Sequence, residues 1–128
     1  MPFVTLTVRK DQSRTFKIAL LDAVHEALVA VGVPLADKFQ RVLSLDEEDF
    51  RFDPSYPDAA TPRSADYALI EILWSVGRSV KVKRNMLQTL IARLSEQGIN
   101  PDHVTVIFKE TQWENWAFSG GRLLHAET

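Results

Sequence analysis

Apolar and polar positions alternate from the third residue onward. Residues 3 to 8 read F-V-T-L-T-V, which is β-branched and alternating, and this predicts a strand. The chain turns polar around Gln12 to Arg14, and from Thr15 the period changes. Leu20, Val24, Ala27 and Val31 then fall at helical spacing, with Leu21 and Leu28 beside them. Gly32 and Pro34 stop that helix. Phe39 to Leu45 reads as a second strand. Tyr67 to Trp74 (Y-A-L-I-E-I-L-W) is strongly apolar and reads as a central strand. Gly77 and Ser79 turn the chain into a second helix with a stripe of Val82, Met86, Leu90 and Leu94, flanked by Leu87 and Ile91. Gly98 and Pro101 end it, and His103 to Phe108 (H-V-T-V-I-F) is the fourth main strand.

The second half thus repeats the element order of the first. The repeats cover residues 2–46 and 66–110 of one domain, 1–128, with a C-terminal capping segment at 111–128. Each half is a βαβ unit, and right-handed crossovers make its two strands parallel. Two such halves predict an α+β fold: a four-stranded mixed sheet with both helices on one face. The other face then exposes apolar side chains, and self-association is the simplest way to cover it. Between the repeats, the acidic and then Pro/Ser/Ala-rich stretch beginning at Asp46 predicts a short strand or turn at Phe50 to Phe52 and a long connection.

Composition narrows the chemistry. The 128 residues carry a formal net charge of −2, with 45% hydrophobic and 25% charged residues. That balance is ordinary for a globular protein and gives no electrostatic case for nucleic acid or an anionic membrane. No cysteine is present, which removes disulfides and thiolate chemistry. No apolar run reaches the roughly 18 residues of a membrane span, so a soluble, cytoplasmic protein is expected. His25, His103 and His125 lack metal-ligand spacing, and no metal is expected. There is no phosphate-binding glycine loop and no serine nucleophile motif.

Several residues remain as candidates. Pro2 directly follows Met1. It either punctuates an edge strand, where a missing N–H is tolerated, or becomes a working amine. A small second residue permits removal of Met1, and a terminal proline nitrogen is then a rigidly held acid or base. A nearby cation or burial lowers its pKa, and a carboxylate raises it. Arg78 lies at the end of the central strand where a helix begins, the place where open α/β sheets put ligands. Its fork can hold a carboxylate with two hydrogen bonds. Lys81, Lys83 and Arg84 read as a solvated basic face. Asp37 precedes the second strand, either as a turn residue or as a carboxylate that orients water or steadies the amine. His25 lies between Leu21 and Leu28 on the first helix, as a hydrogen-bonded histidine at the core edge or a substrate contact. Trp116 and Phe118 share one face of an extended segment, as core or as a pocket wall.

Pro2, "LLDAVHEALVAVGVP" at 20–34, "DKFQ" at 37–40, "GRS" at 77–79 and "WAF" at 116–118 together resemble the tautomerase superfamily, in particular the malonate semialdehyde decarboxylase-like branch. The resemblance implies a homotrimer of β-α-β units that uses the N-terminal proline on small keto or unsaturated carboxylic acids, without metal or organic cofactor. By resemblance Pro2, Asp37 and Arg78 are catalytic, and Arg78, Trp116, Phe118 and His25 contact substrate. Val76 stands where that branch has the first arginine of an R-P-R-S stretch. One cation of the implied carboxylate site is therefore missing. Keto–enol tautomerisation is the least demanding implied reaction, because one amine and one arginine suffice. Decarboxylation or hydration is the alternative, and a non-catalytic anion-binding βαβ module is the alternative of another class.

Overall fold

A computed structural model describes residues 1–124; His125 and the last residues of the capping segment lie outside the described part. The elements run β1 (Phe3–Arg9), α1 (Arg14–Ala30), β2 (Gln40–Leu45), β3 (Ala68–Ser75), α2 (Val80–Glu96) and β4 (Val104–Thr111). They form one four-stranded sheet in the order β2-β1-β3-β4. β1 and β2 are parallel, as are β3 and β4, and the two pairs meet antiparallel through β1 and β3. This is the mixed sheet that the doubled βαβ pattern predicts.

Alternation sorts the strand residues into two sets. Val4, Leu6 and Val8 of β1 and Ile70, Ile72 and Trp74 of β3 are buried. They form one core with Leu20, Val24 and Leu28 of α1 and Met86, Leu90 and Leu94 of α2. Each such side chain contributes about 1.5–3 kcal/mol when fully removed from water. The intervening residues face the other way, and Phe3, Leu43, Leu73 and Ile107 stay exposed there. Both helices begin on a serine that caps a backbone N–H: Ser13 accepts from Phe16 and Ser79 from Val82. Gly32 and Gly98 follow the helix ends with φ of +106° and +73°, a conformation that L side chains resist.

Of the two alternatives at Phe50 to Phe52 the strand does not form, and the chain bends at Phe50. Glu47–Asp49 forms a 3-10 turn, and Phe50 and Phe52 pack against each other and against Tyr67. Arg9 explains the change: its Nε donates to the Phe50 carbonyl at 2.9 Å, and its guanidinium covers the Phe52 ring at 4.6 Å. A side chain, not a neighbouring strand, satisfies this backbone. Among the described residues no helix is long and apolar enough to cross a membrane.

Candidate active site

Three chain segments meet at one end of the central strands: the start of β1, the turn before β2, and the turn after β3. They enclose a pocket of about 120 Å³ lined by Met1, Pro34, Asp37, Trp74, Arg78 and Val82, among others. Pro2, the next residue after Met1, is buried and does not itself line the pocket. The amino-terminal nitrogen, here that of Met1, lies 3.7 Å from Asp37 Oδ2. A larger hollow of about 730 Å³ lies at the far end of β1, against Arg9, Lys10, Asp46 and Glu47. It is an open surface where Lys10 and Asp46 already pair at 3.6 Å, so it offers no concentrated charge to a small ligand.

Arg78 reaches its place through a tight turn. Gly77 takes a φ of +114°, and the arginine folds back so that Nη1 donates to the Ser75 carbonyl at 2.6 Å. The guanidinium lies over Trp74 at 4.9 Å and over Trp113 at 5.6 Å. Such cation–π contacts hold a partly desolvated charge without neutralising it. Burial pulls the Arg78 pKa below its usual value, while Glu110 and Asp37 act in the opposite sense.

Asp37 sits in a turn closed by its own N–H to the Pro34 carbonyl, at 3.0 Å. His25 anchors that turn from α1. Its Nε2 lies 2.8 Å from the Leu35 carbonyl; a carbonyl only accepts, so Nε2 carries the proton. His25 is 8% exposed and does not line the pocket. Asp37 Oδ1 is buried with no hydrogen-bond partner. The amine feels all of this. Burial lowers its pKa most, Asp37 raises it, and Arg78 lowers it further; the net direction is down.

The structure therefore brings Asp37 and Arg78 to the amino terminus, within one chain. It places Trp116 and Phe118 elsewhere: their rings pair at 5.3 Å, and neither lines this pocket. The extended segment that carries them is held by a bridge from Ala117 to Leu123 and by the Leu124 N–H to the Trp116 carbonyl. Two aromatic neighbours of Arg78 are not evident from the sequence. Trp74 has the pattern of pure core because it closes the apolar β3 run, although it lies four residues before Arg78 and at the same end of the sheet. Trp113 sits in the 3-10 turn after β4 and carries no pattern that points to Arg78. Of the basic stretch, Lys83 pairs with Glu110.

The chain can be set beside known proteins. It is 26% identical over 124 residues to the protein named "Probable tautomerase YusQ" of Bacillus subtilis (strain 168), covering 95% of this chain and 96% of that one. A structure of FG41 malonate semialdehyde decarboxylase inhibited by 3-bromopropiolate matches with a TM-score of 0.83 and 26% identity, over 94% of this chain and 91% of the other. A second malonate semialdehyde decarboxylase study, of wild-type, mutant and inactivated forms, matches at 0.82 and 27%, over 94% and 92%. A fused 4-OT symmetric trimer shares the fold, with a TM-score of 0.68 and 19% identity, over 94% of each chain. The family described as Tautomerase_2, a tautomerase enzyme, matches residues 37–119, a span that starts on Asp37 and includes Arg78 but not Pro2. Since that match covers more than half of the chain, the chain belongs to the Tautomerase_2 family of tautomerase enzymes.

Proposed function

We propose that the protein is a cofactor-independent tautomerase that moves a proton at a carbon beside a carbonyl in a small 2-oxo or unsaturated carboxylic acid. The convergence of the amino-terminal nitrogen, Asp37 and Arg78 in one pocket carries this reading. Removal of Met1 passes the free amine to Pro2. The neutral Pro2 nitrogen takes a proton from the carbon, forming N–H as the C–H bond breaks. The freed electron pair becomes the C=C bond, and the carbonyl π pair moves onto oxygen. The ammonium returns a proton to complete the shift in either direction. Arg78 holds the carboxylate through paired N–H donors.

The electrostatics support a dual role for the amine. At the Met1 nitrogen burial and Arg78 favour the neutral form and Asp37 favours the charged form, and we carry the same opposed influences over to the Pro2 nitrogen. Opposed influences of this kind bring a basic amine towards the working pH, where acid and base forms are both populated. The exposed sheet face bearing Phe3, Leu43, Leu73 and Ile107 supports a homotrimer in which that face is covered, and Trp116 and Phe118 meet the substrate only if they do so across such an assembly.

Intact mass and one substitution test this reading. The active protein should lack Met1, and Pro2→Ala should slow ketonisation of phenylenolpyruvate roughly a hundredfold, the scale of general acid–base catalysis. Equal rates, or an active form that keeps Met1, would sink the role of Pro2. Likeness to the two decarboxylase structures favours a second reading, conversion of malonate semialdehyde to acetaldehyde and CO₂. Acetaldehyde release that disappears with Pro2→Ala, without ketonisation of the enol, would select it. Pyruvate binding with neither activity would select a non-catalytic anion-binding module.

A further inference from the structure

Alternation along β4 turns Val104, Val106 and Phe108 to the core, and Glu110 is next in that row. Parallel pairing sets Glu110 beside Trp74 and Thr111 beside Ser75. Trp74 and Ser75 are the residues that hold Arg78, through an indole face and a backbone carbonyl. A carboxylate therefore stands beside the arginine's own supports. Burial disfavours the charged guanidinium, and Glu110 lies near enough to oppose that effect. Yet among the described residues no carboxylate is within ion-pair distance of Arg78, and Glu110 pairs with Lys83 instead. Lys83 comes from the first turn of α2, where its N–H bonds to the Ser79 carbonyl at 3.1 Å. A cation there faces the positive end of the helix, which disfavours it, so the lysine calls for a cause. Its ammonium lies over the Phe108 ring at 5.8 Å. The Lys83 and Glu110 side chains are 24% and 30% exposed, so solvent screens this pair less than one fully in water.

We propose that Lys83 is a positioning residue for the substrate's carboxylate: by holding Glu110 it keeps the remaining donors of Arg78 open to the incoming acid. The assignment rests on the reading of Arg78 as the carboxylate holder. Glu110 then supports a partly desolvated guanidinium from a distance without occupying its N–H groups. Released from Lys83, the Glu110 side chain turns to Arg78 and competes with the acid as a tethered carboxylate, whose effective concentration is high. This role sets Lys83 apart from Lys81 and Arg84, which are exposed.

Lys83→Met keeps an apolar stem over Phe108 and removes the charge. It should raise the KM for phenylenolpyruvate about tenfold, the scale of one hydrogen bond to a charged group, and leave kcat close to the parent's. Adding Glu110→Gln should return KM to the parent's value, and Lys83→Arg, which can still pair, should keep it there. Guanidinium ¹⁵N–¹H spectra taken without ligand give a readout that lost packing or a change in net charge would not move. The Arg78 Nε–H peak, identified as the one lost in Arg78→Gln, should move downfield in Lys83→Met and return when Glu110→Gln is added. A peak that stays in place, or a KM rise that Glu110→Gln does not reverse, would overturn the role of Lys83. Should Lys83→Met fold poorly, Lys83→Gln takes its place in both measurements. A KM that responds to Arg78→Gln but not to the loss of Lys83 would overturn the role of Lys83 and leave the carboxylate site standing. A KM that responds to neither would overturn both.

Discussion

The two repeats build two similar ends and put opposite chemistry on them. At one end lie Met1, Val31, Gly32, Val33, Asp37 and Arg78. At the other, Asp66, Gln97, Gly98, Ile99 and Gln12 line a hollow of about 380 Å³. Ser13 and Ser79 cap the two helices alike, and Gly32 and Gly98 close them alike. Gln12 thus stands where the other end has Arg78, each just before its helix cap. Tyr67 stands where the other end has Pro2, each just before its strand. Its nitrogen is an amide that donates to the Ser64 carbonyl at 3.0 Å. In place of an amine and an arginine, the second end carries Asp66, bonded to His103 at 3.0 Å, and His103 also meets Thr61 at 2.9 Å. That network staples the long connection to the start of β4. One fold supports both ends, so the chemistry belongs to a few residues at the strand ends and not to the architecture.

Substitutions can erase or sharpen the difference. Making the first end resemble the second, Arg78→Gln should lower kcat/KM for phenylenolpyruvate roughly a hundredfold, because two charge-assisted hydrogen bonds are lost. Most of the loss should fall on KM, and an unchanged KM would mean that the arginine does not distinguish the ends. The next effect is on the pH–rate profile. Asp37 raises and Arg78 lowers the pKa of the Met1 amine; with the same influences on the proposed Pro2 amine, Asp37→Asn should move the basic limb to lower pH and Arg78→Gln to higher pH. Shifts of the same sign would break the electrostatic account. His25→Ala should cost about tenfold in kcat/KM by releasing the Leu35 carbonyl and the turn that carries Asp37, with partial recovery in His25→Gln. A pH profile identical to the parent's would show that the turn holds without it.

The smallest effect belongs to the second end. Asp66→Asn should leave enol ketonisation unchanged and alter only the acid limb of stability. Burial opposes ionisation of Asp66, but bonds from Ser64 and His103 outweigh it, and its pKa falls below the ordinary 3.8. A carboxylate with a lowered folded pKa contributes stability above pH 3.8, and that contribution is lost as pH falls through the folded value. Urea midpoints of parent and variant should therefore differ at pH 6 and converge in strong acid. A difference that persists in acid would assign the effect to packing.

Much of this layout is legible in the chain itself. Alternation locates β1 and a continuous apolar run locates β3, and β4 continues past the predicted Phe108 to Thr111 because Val76 and its neighbours keep pairing with it. Arg78 could be singled out because it follows the end of a strand, where ligands collect, whereas position alone leaves Asp37 open between a turn residue and a working carboxylate. The identity of Arg78's aromatic neighbours could not, because it depends on which strands lie side by side. Alternation rightly puts Trp116 and Phe118 on one face, as their ring contact shows, but no periodicity says where that face points. At Phe50 to Phe52 the sequence leaves strand and turn open, and the strand does not form: an arginine from β1 takes the hydrogen bond that a strand partner would have taken.

The turn at Gly77 has a consequence for how tightly an acid can be held. The long arm of a free arginine loses about 2 kcal/mol of rotameric freedom when it is pinned. Arg78 is pinned in advance, by the Ser75 carbonyl and the indole faces. The ordering is completed during folding, so the carboxylate of the proposed substrate would meet a fixed fork and keep more of its interaction energy as affinity. Added salt can screen the attraction between the two charges, but it cannot loosen an arm tied to a neutral carbonyl.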